Sequence, residues 1–373
     1  MPGRAVIERD ELDAWLRLIE CPHVGRESAR KLLAAFGSPQ AVLQASSSAL
    51  CEVVGAAAAT ALATTPDGFE ALAAATWQWL AAQSPAPRDV LPLGDPRYPN
   101  ALLQTADPPL LLYVQGRVEL LNAPAVAVVG SRNPTPQGVE NARAFARHLS
   151  QAGLTVISGL ALGIDGAAHE GALEGAAGTI AVVGTGLDRV YPRRHLDLAH
   201  RIANNGAIVS EFALGMPAIA SNFPMRNRII AGMAQGTLVV EAALQSGSLI
   251  TARLAAEAGR DVFAIPGSIH APQSRGCHAL IKQGAKLVDG AQDILEELNA
   301  SFTGAVAPSV ACEPSRKRDP LLEALGHDPA SLDALAARTG WTAAALNTRL
   351  LELELDGLVA RLPGQLFQRR MSS

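Results

Sequence analysis

Three short stretches of the sequence carry residue types that suit the binding of phosphate and of unstacked bases. The first is Gly130-Ser131-Arg132, at the end of a β-branched run. A glycine there lets a ligand approach the backbone, and a guanidinium takes a phosphate through two parallel hydrogen bonds. Arg132 has a second reading, as a clamp on a loop carboxylate. The second stretch is "NFPMRNR", with Phe223 just ahead of Arg226, Asn227 and Arg228. An aromatic ring beside guanidinium groups combines a stacking platform, about 1–3 kcal/mol per base, with a charge track. Packing of Phe223 into the core is the competing reading. The third is "QSGSLITA", in which Ser246, Gly247, Ser248 and Thr251 lead into an apolar segment. Such hydroxyls cap a helix or help its N-terminus hold an anion. Arg193, Arg194 and His195 follow Pro192 and either extend the track or form a solvated basic loop.

These residues follow short aliphatic runs at 126–129, 154–158, 180–183, 207–210, 238–240, 262–265 and 286–288. Helical stretches separate most of them, which predicts a doubly wound, mostly parallel α/β sheet covered on both faces. Ligands of such sheets bind at the carboxyl ends of the strands. Here those ends also carry Gly159, Gly163, Gly184 and Gly186. The fold is used without a dinucleotide signature. "GSRNPTPQG" places Arg132 where GxGxxG needs its second glycine, and the second strand ends in Ser158-Gly159 rather than in a ribose-binding acid. Asp165, His169 and Glu241 lie near strand ends, but no nucleophile–base pair, metal-ligand cluster or P-loop stands out. Asp165 and His169 are four apart at a helix start, where capping and a local hydrogen bond account for them. The expectation is no catalysis, no cofactor and no metal.

Composition narrows the class. The chain has 373 residues, 49% of them hydrophobic, so two or three domains with sizeable cores are expected. Cys21, Cys51, Cys277 and Cys312 form no CxxC pair, which indicates neither zinc nor a disulfide framework. No secretory signal or spanning apolar run is evident, and a cytoplasmic location is expected. Net charge is −4, yet residues 125–290 hold 14 Lys/Arg against 11 Asp/Glu, so a small positive excess sits on the α/β segment alone.

Four parts are expected: a helical domain at 1–85, the α/β domain at 86–300, a polar, proline-bearing linker at 301–319 and a small unit at 320–373. In the first, "HVGRESARKLLAAFGSP" resembles a helix-hairpin-helix unit lacking its second hairpin glycine. Packing without DNA contact is the favoured reading of it. Residues 81–89 read as a proline-rich connector. The last unit reads as three helices and a two-stranded wing turning at Pro363-Gly364, which resembles a winged helix. Its third helix sets Arg349 against Glu352, Glu354 and Asp356, an arrangement that favours protein contact over DNA. Arg361, Arg369 and Arg370 in the wing are the alternative DNA contacts.

Six blocks occur in the α/β segment: "VAVVGSRNPTPQG" (126–138), "SGLALGIDGAAH" (158–169), "GTGLDRVYPRRH" (184–195), "SEFALGMPAIASNFPMRNRIIAGM" (210–233), "VVEAALQSGSLITARLAAEAGRDVFAIPGS" (239–268) and "SRGCHALIKQGA" (274–285). Together, in this order, they resemble the signature blocks of the DNA-processing protein A (DprA/Smf) family. The resemblance implies a sequence-independent single-stranded-DNA binder. It also implies dimerisation and the loading of RecA recombinase onto incoming DNA during natural transformation. An aromatic near Phe223 contacts a base in that family. Where the family usually has a basic residue in "SGLARGID", this chain has Leu162, so the Gly159–Gly163 turn is left with only its backbone to offer. For the dimer, His278, Ile281 and Leu287 are expected on a short apolar helix and the last strand. Two other readings compete. A Rossmann-like nucleotide phosphoribohydrolase lacks its PGGxGTxxE block here, and a duplex-binding transcription regulator sits poorly with the acidic third helix.

Overall fold

The computed structural model describes residues 7–298, 319–326, 330–362 and 366–369. The linker expected at 301–319 lies, apart from Asp319, outside the described residues, as do Cys312, the Pro363-Gly364 turn and Arg370. Six helices open the chain: α1 (Arg9–Ile19), α2 (Arg26–Phe36), α3 (Pro39–Gln44), α4 (Ser47–Val54), α5 (Ala56–Leu62) and α6 (Phe69–Ala81). On α1, Leu12, Trp15, Leu16 and Leu18 recur at helical spacing and are all buried. Gly37, with φ +87°, ends α2, and the Ser38 hydroxyl accepts from the Ala41 N–H to start α3. The helices share one core with Val90, Leu110, Leu111 and Tyr113, so this unit packs directly on one end of the sheet.

That end consists of two antiparallel strands, β1 (Arg88–Pro92) and β2 (Leu111–Gly116), with a one-turn helix α7 (Asn100–Leu103) between them. Neither strand was anticipated, and the proline-rich connector is shorter than expected because Arg88 and Asp89 already pair with Gln115 and Val114. Both strands are buried along nearly their whole length, so they lack the polar alternation that marks a half-exposed strand.

The rest alternates strand and helix: β3 (Ala125–Val129), α8 (Pro136–Gln151), β4 (Thr155–Ser158), α9 (Ile164–Ala172), β5 (Thr179–Val182), α10 (Leu196–Asn205), β6 (Ala207–Ser210), α11 (Asn222–Met233), β7 (Gly236–Val239), α12 (Ser248–Glu257), β8 (Asp261–Ala264), α13 (Arg275–Lys282), β9 (Lys286–Leu287) and α14 (Ala291–Glu297). The nine strands form one sheet in the order β1-β2-β6-β5-β4-β3-β7-β8-β9, parallel from β6 to β9. Period-two alternation sorts β3 between the faces. Ala125, Ala127 and Val129 pack with Ile229 and Ile230 of α11, whereas Val126 and Val128 pack with Phe145 of α8 and Ala168 of α9. From β3 the chain builds outward through β4, β5 and β6, then returns to lay β7 on the other side of β3. This reversal leaves a crevice at the carboxyl ends of β3 and β7.

A separate small core joins α15 (Pro320–Leu325), β10 (Ala330–Ser331), α16 (Leu332–Thr339), α17 (Ala343–Leu355), β11 (Val359–Leu362) and β12 (Leu366–Arg369). Leu346, Leu350 and Leu353 of α17 are buried, and β10, β12 and β11 form a three-stranded antiparallel sheet. This is a winged-helix arrangement. Arg349 is held by Asp319 and Glu352, while Arg361 stacks on Phe367 and lies 3.9 Å from Glu354. Among the described residues no helix is long and apolar enough to cross a membrane.

Candidate nucleic-acid interface

The crevice beside β3 opens into a cavity of about 710 Å³. Its wall is drawn from five connections: Gly130, Ser131 and Arg132 after β3, Ala161 and Asp165 after β4, Tyr191 after β5, Phe223, Arg226 and Asn227 of α11, and Ser246, Gly247, Ser248 and Thr251 around the start of α12. The three stretches singled out in the sequence therefore meet in one place. They meet because every β–α connection of a parallel sheet emerges on the same edge.

Arg132 is exposed and its guanidinium lies 5.7 Å from the Phe223 ring centroid. Among the described residues it forms no ion pair, so the carboxylate-clamp reading finds no partner. Its turn is rigid: Ser131 N–H donates to the Glu241 carbonyl at 2.7 Å, and the Ile164 N–H donates back to the Ser131 carbonyl. Phe223 is half-buried and sits on the cavity wall rather than in the core, touching Tyr191 at a centroid distance of 5.6 Å. At α12, the Ser246 hydroxyl accepts from the Ser248 N–H and lies 2.7 Å from the Ser248 hydroxyl. Asn227 donates its side-chain amide to the Gly247 carbonyl at 3.5 Å, linking the second turn of α11 to the N-cap of α12. The Ser246 hydroxyl thus bonds within the turn that leads into α12, whose N-cap, Gly247, has no side chain to cap with. Arg193 and Arg194 are exposed in a short turn beside Tyr191 and make no ion pair among the described residues.

Several expected contacts have other duties. Arg226 is 4% exposed and donates through Nη1 to the carbonyls of Gly159 and Val182. Burial pulls its pKa down to about 10 against the opposing field of Asp165. It braces the cavity floor rather than forming its rim. Arg228 points away altogether, into ion pairs with Asp107 and Glu211. Residues two apart on a helix face about 200° around the axis, so these two arginines cannot share one track.

The glycines divide in the same way. A Cβ on Gly159 would strike the Arg226 guanidinium, and one on Gly163 would lie 2.4 Å from the Ser131 carbonyl. A Cβ on Gly184 would press on the Phe223 ring, and one on Gly186 would lie 2.5 Å from the Ala213 carbonyl. All four permit close packing behind the wall, and only Gly130 among the predicted strand-end glycines lines the cavity. Leu160 adopts φ +59° with its carbonyl accepting from His195 Nδ1 at 2.9 Å. The basic turn and the turn after β4 are tied together by that bond.

The titratable groups near strand ends are committed to structure. Asp165 accepts from the Ala161 N–H, and burial raises its pKa against the field of Arg226. Glu241 accepts from the Thr135 N–H at the start of α8, and burial raises its pKa too. His169 does not bond Asp165, contrary to expectation. Its Nδ1 lies 2.7 Å from the Thr179 hydroxyl. That hydroxyl donates to the Val156 carbonyl, so Nδ1 carries the proton in this pair. Full burial, first of all, pushes the His169 pKa down to about 3. No group of three His, Cys, Asp or Glu that could hold a metal occurs among the described residues.

His278, Ile281 and Leu287 lie away from the cavity. His278 Nε2 sits 2.9 Å from the Gly267 carbonyl, Ile281 is partly buried, and Leu287 is 49% exposed on β9, the outer strand of the sheet. The sequence reading missed Tyr191, Asn133 and Gln245, which also line the cavity. For Tyr191 a signal existed: an aromatic immediately ahead of Pro192-Arg193-Arg194 in a strand-end loop.

Comparison with known proteins agrees with this architecture. Residues 89–299 match the family model of DNA recombination-mediator protein A, residues 305–365 the DprA winged helix domain, and residues 8–67 the DprA-like N-terminal HHH domain. Protein Smf of Escherichia coli K12 is 45% identical over 283 residues, covering 74% of this chain and 76% of that protein. DNA processing protein DprA of Streptococcus pneumoniae R6 is 49% identical over 203 residues, 54% of this chain and 72% of that protein. The X-ray structure of S. pneumoniae DprA superposes with a TM-score of 0.67 at 36% identity, covering 78% of this chain and 98% of that one. DprA of Helicobacter pylori, described for its unique single-stranded-DNA binding mode, gives a TM-score of 0.52 at 32% identity over 57% of this chain and 95% of that one. With all three of its parts matched in order, the chain belongs to the DNA recombination-mediator protein A (DprA/Smf) family.

Proposed function

We propose that this protein binds single-stranded DNA without sequence preference in the cavity beside β3, and that it loads RecA recombinase onto that DNA in the cytoplasm during natural transformation. One observation carries the reading: an exposed guanidinium with no ion pair among the described residues, Arg132, lies over a half-buried ring, Phe223, in a cavity at the carboxyl edge of a parallel sheet. Phosphates would be taken by Arg132, Arg193 and the Ser246 hydroxyl, with Ser248 and Thr251 buried behind it, and bases by the aromatic wall. Contacts of this kind read no base edge, which accounts for sequence independence. The homologous H. pylori protein, with its single-stranded-DNA binding mode, supports the same ligand. A nucleotide-hydrolysing alternative has little to work with, since Asp165, His169 and Glu241 are buried or already bonded.

The test is fluorescence anisotropy of a dye-labelled oligothymidylate and of its duplex, for wild type and Arg132→Ala, across a salt series. The single strand should bind more tightly than the duplex. Arg132→Ala should weaken it about 10-fold or more and flatten the log–log salt slope by about 0.7, the value for one phosphate on a single strand. Equal affinity for duplex, or an unchanged slope in the variant, would defeat the reading. The proposed homodimer uses the apolar helix and outer strand carrying His278, Ile281 and Leu287. There, Leu287→Glu should convert the light-scattering mass from dimer to monomer, and an unchanged dimer mass would rule that surface out.

A further inference from the structure

Phe223 is already engaged on several sides. Arg132 sits 5.7 Å from its centroid, Tyr191 meets it at 5.6 Å with a 37° tilt, and Gly184 lies so close that a Cβ there would come within 3.1 Å of the ring. Two rings that clasp a base stand roughly 7 Å apart, twice the ~3.4 Å stacking rise. A base therefore fits neither between Phe223 and Tyr191 nor between Phe223 and Arg132 as they stand.

Tyr191 is placed differently. The chain has three tyrosines, and Tyr98 and Tyr113 are each 1% exposed, whereas Tyr191 is 51% exposed at the cavity mouth. Holding that much aromatic surface in water is unfavourable unless something covers it. One side rests on Phe223, and the ring leads straight into Arg193 and Arg194, exposed and without an ion pair among the described residues. An aromatic face beside two such guanidinium groups is a base platform with its own phosphate track.

We propose that Tyr191 is the base-stacking residue of this site: an unpaired nucleobase lies on its outward face, Phe223 supports the ring from behind, and the flanking phosphates run toward Arg193. The proposal rests on the single-stranded-DNA reading and names the subsite within it. It also supplies a physical basis for rejecting duplex. A paired base has both faces inside the helical stack, and unstacking costs a few kcal/mol per step, so the tyrosine receives nothing from intact duplex.

The experiment uses the full chain and an oligothymidylate with one central 2-aminopurine, whose fluorescence is quenched by stacking. A second oligonucleotide has the same length but several abasic positions. Wild type and Tyr191→Phe should quench the probe and bind alike, because the ring and not the hydroxyl does the stacking. Tyr191→Ala should lose the quenching and bind roughly 5- to 150-fold more weakly. On the abasic strand wild type and Tyr191→Ala should bind equally, since no base is there to lose. Unchanged affinity and quenching in Tyr191→Ala, with Arg132→Ala still impaired, would overturn the proposal while leaving the DNA reading intact. An equal loss on the abasic strand would also overturn it, because the ring would then act only by bracing Phe223. Failure of wild type to bind any single strand would instead defeat the underlying reading.

Discussion

Arg226→Met should destabilise the protein by about 3–5 kcal/mol, the loss expected when a buried charge is removed from its partners. The guanidinium is 4% exposed and donates to the Gly159 and Val182 carbonyls at the ends of β4 and β5, with the buried Asp165 as its charge neighbour. Methionine fills much of the volume but leaves two carbonyls unbonded and Asp165 without its opposing charge. The same bonds place the Gly159–Gly163 turn, which carries the left-handed Leu160 and packs against the Arg132 turn. Single-strand binding should therefore fall with stability, although Arg226 offers little surface to DNA. Urea unfolding followed by circular dichroism measures the first effect. A loss below about 1 kcal/mol would mean that the floor holds without it. Arg226→Lys should recover only part of the loss, because one ammonium cannot span both carbonyls in the guanidinium geometry.

Arg228→Ala should show a comparable loss with a pH signature. Arg228 pairs with Glu211 and Asp107, and Arg26 and Arg30 of α2 reach the same Asp107, so the cluster ties the N-terminal helices to the sheet. Glu211 is 7% exposed at its side chain, with Arg228, Arg26 and Asp107 facing it. Burial already raises its pKa above the ordinary carboxylate value, and the arginines oppose that rise. A carboxyl whose folded pKa lies above its unfolded value supports the fold below the unfolded value and loses that support as pH climbs through the folded one. Removing Arg228 lifts the folded pKa further. The deficit should thus be largest at neutral pH, about 3–5 kcal/mol, and should shrink as pH falls toward 4.5. Adding Glu211→Gln should restore much of the stability at pH 7 and remove the change in the deficit between pH 7 and 4.5, leaving only the part that follows Asp107 at lower pH. A deficit constant between pH 7 and 4.5 and shrinking only at lower pH, where Asp107 takes up its proton, would show that Asp107, not Glu211, carries the effect.

The two arginines show how far one-dimensional reading extends. "NFPMRNR" marks a place where basic and aromatic groups gather, and the gathering is real. Which guanidinium faces the cavity depends on helical phase and on what the neighbouring strands offer. Val182 and Gly159 supply carbonyls to Arg226, and Asp107, far away in the chain, captures Arg228. Asp165 and His169 give the same lesson. Their spacing of four suggests a mutual bond, yet the Thr179 hydroxyl on β5 takes the imidazole instead.

What the sequence by itself determined is the set of seven parallel strands, the absence of a dinucleotide turn, and the meeting of the Arg132, Phe223 and Ser246–Thr251 stretches at one edge. These follow from local rules: β-branched runs make strands, glycines mark their ends, and parallel connectivity sends every strand end the same way. The tertiary structure alone decided the rest. β1 and β2 are buried nearly throughout, so no alternation announced them, and they acquire their partners only through β6. Exposure separates Tyr191 from its two buried counterparts, and exposure is a property of the assembled surface rather than of residue type. The strand-end glycines are readable as glycines in the sequence, but only the packed turns reveal that most of them make room for Arg226, Phe223 and backbone carbonyls. Local chemistry places the groups near one another, and long-range packing assigns each its partner.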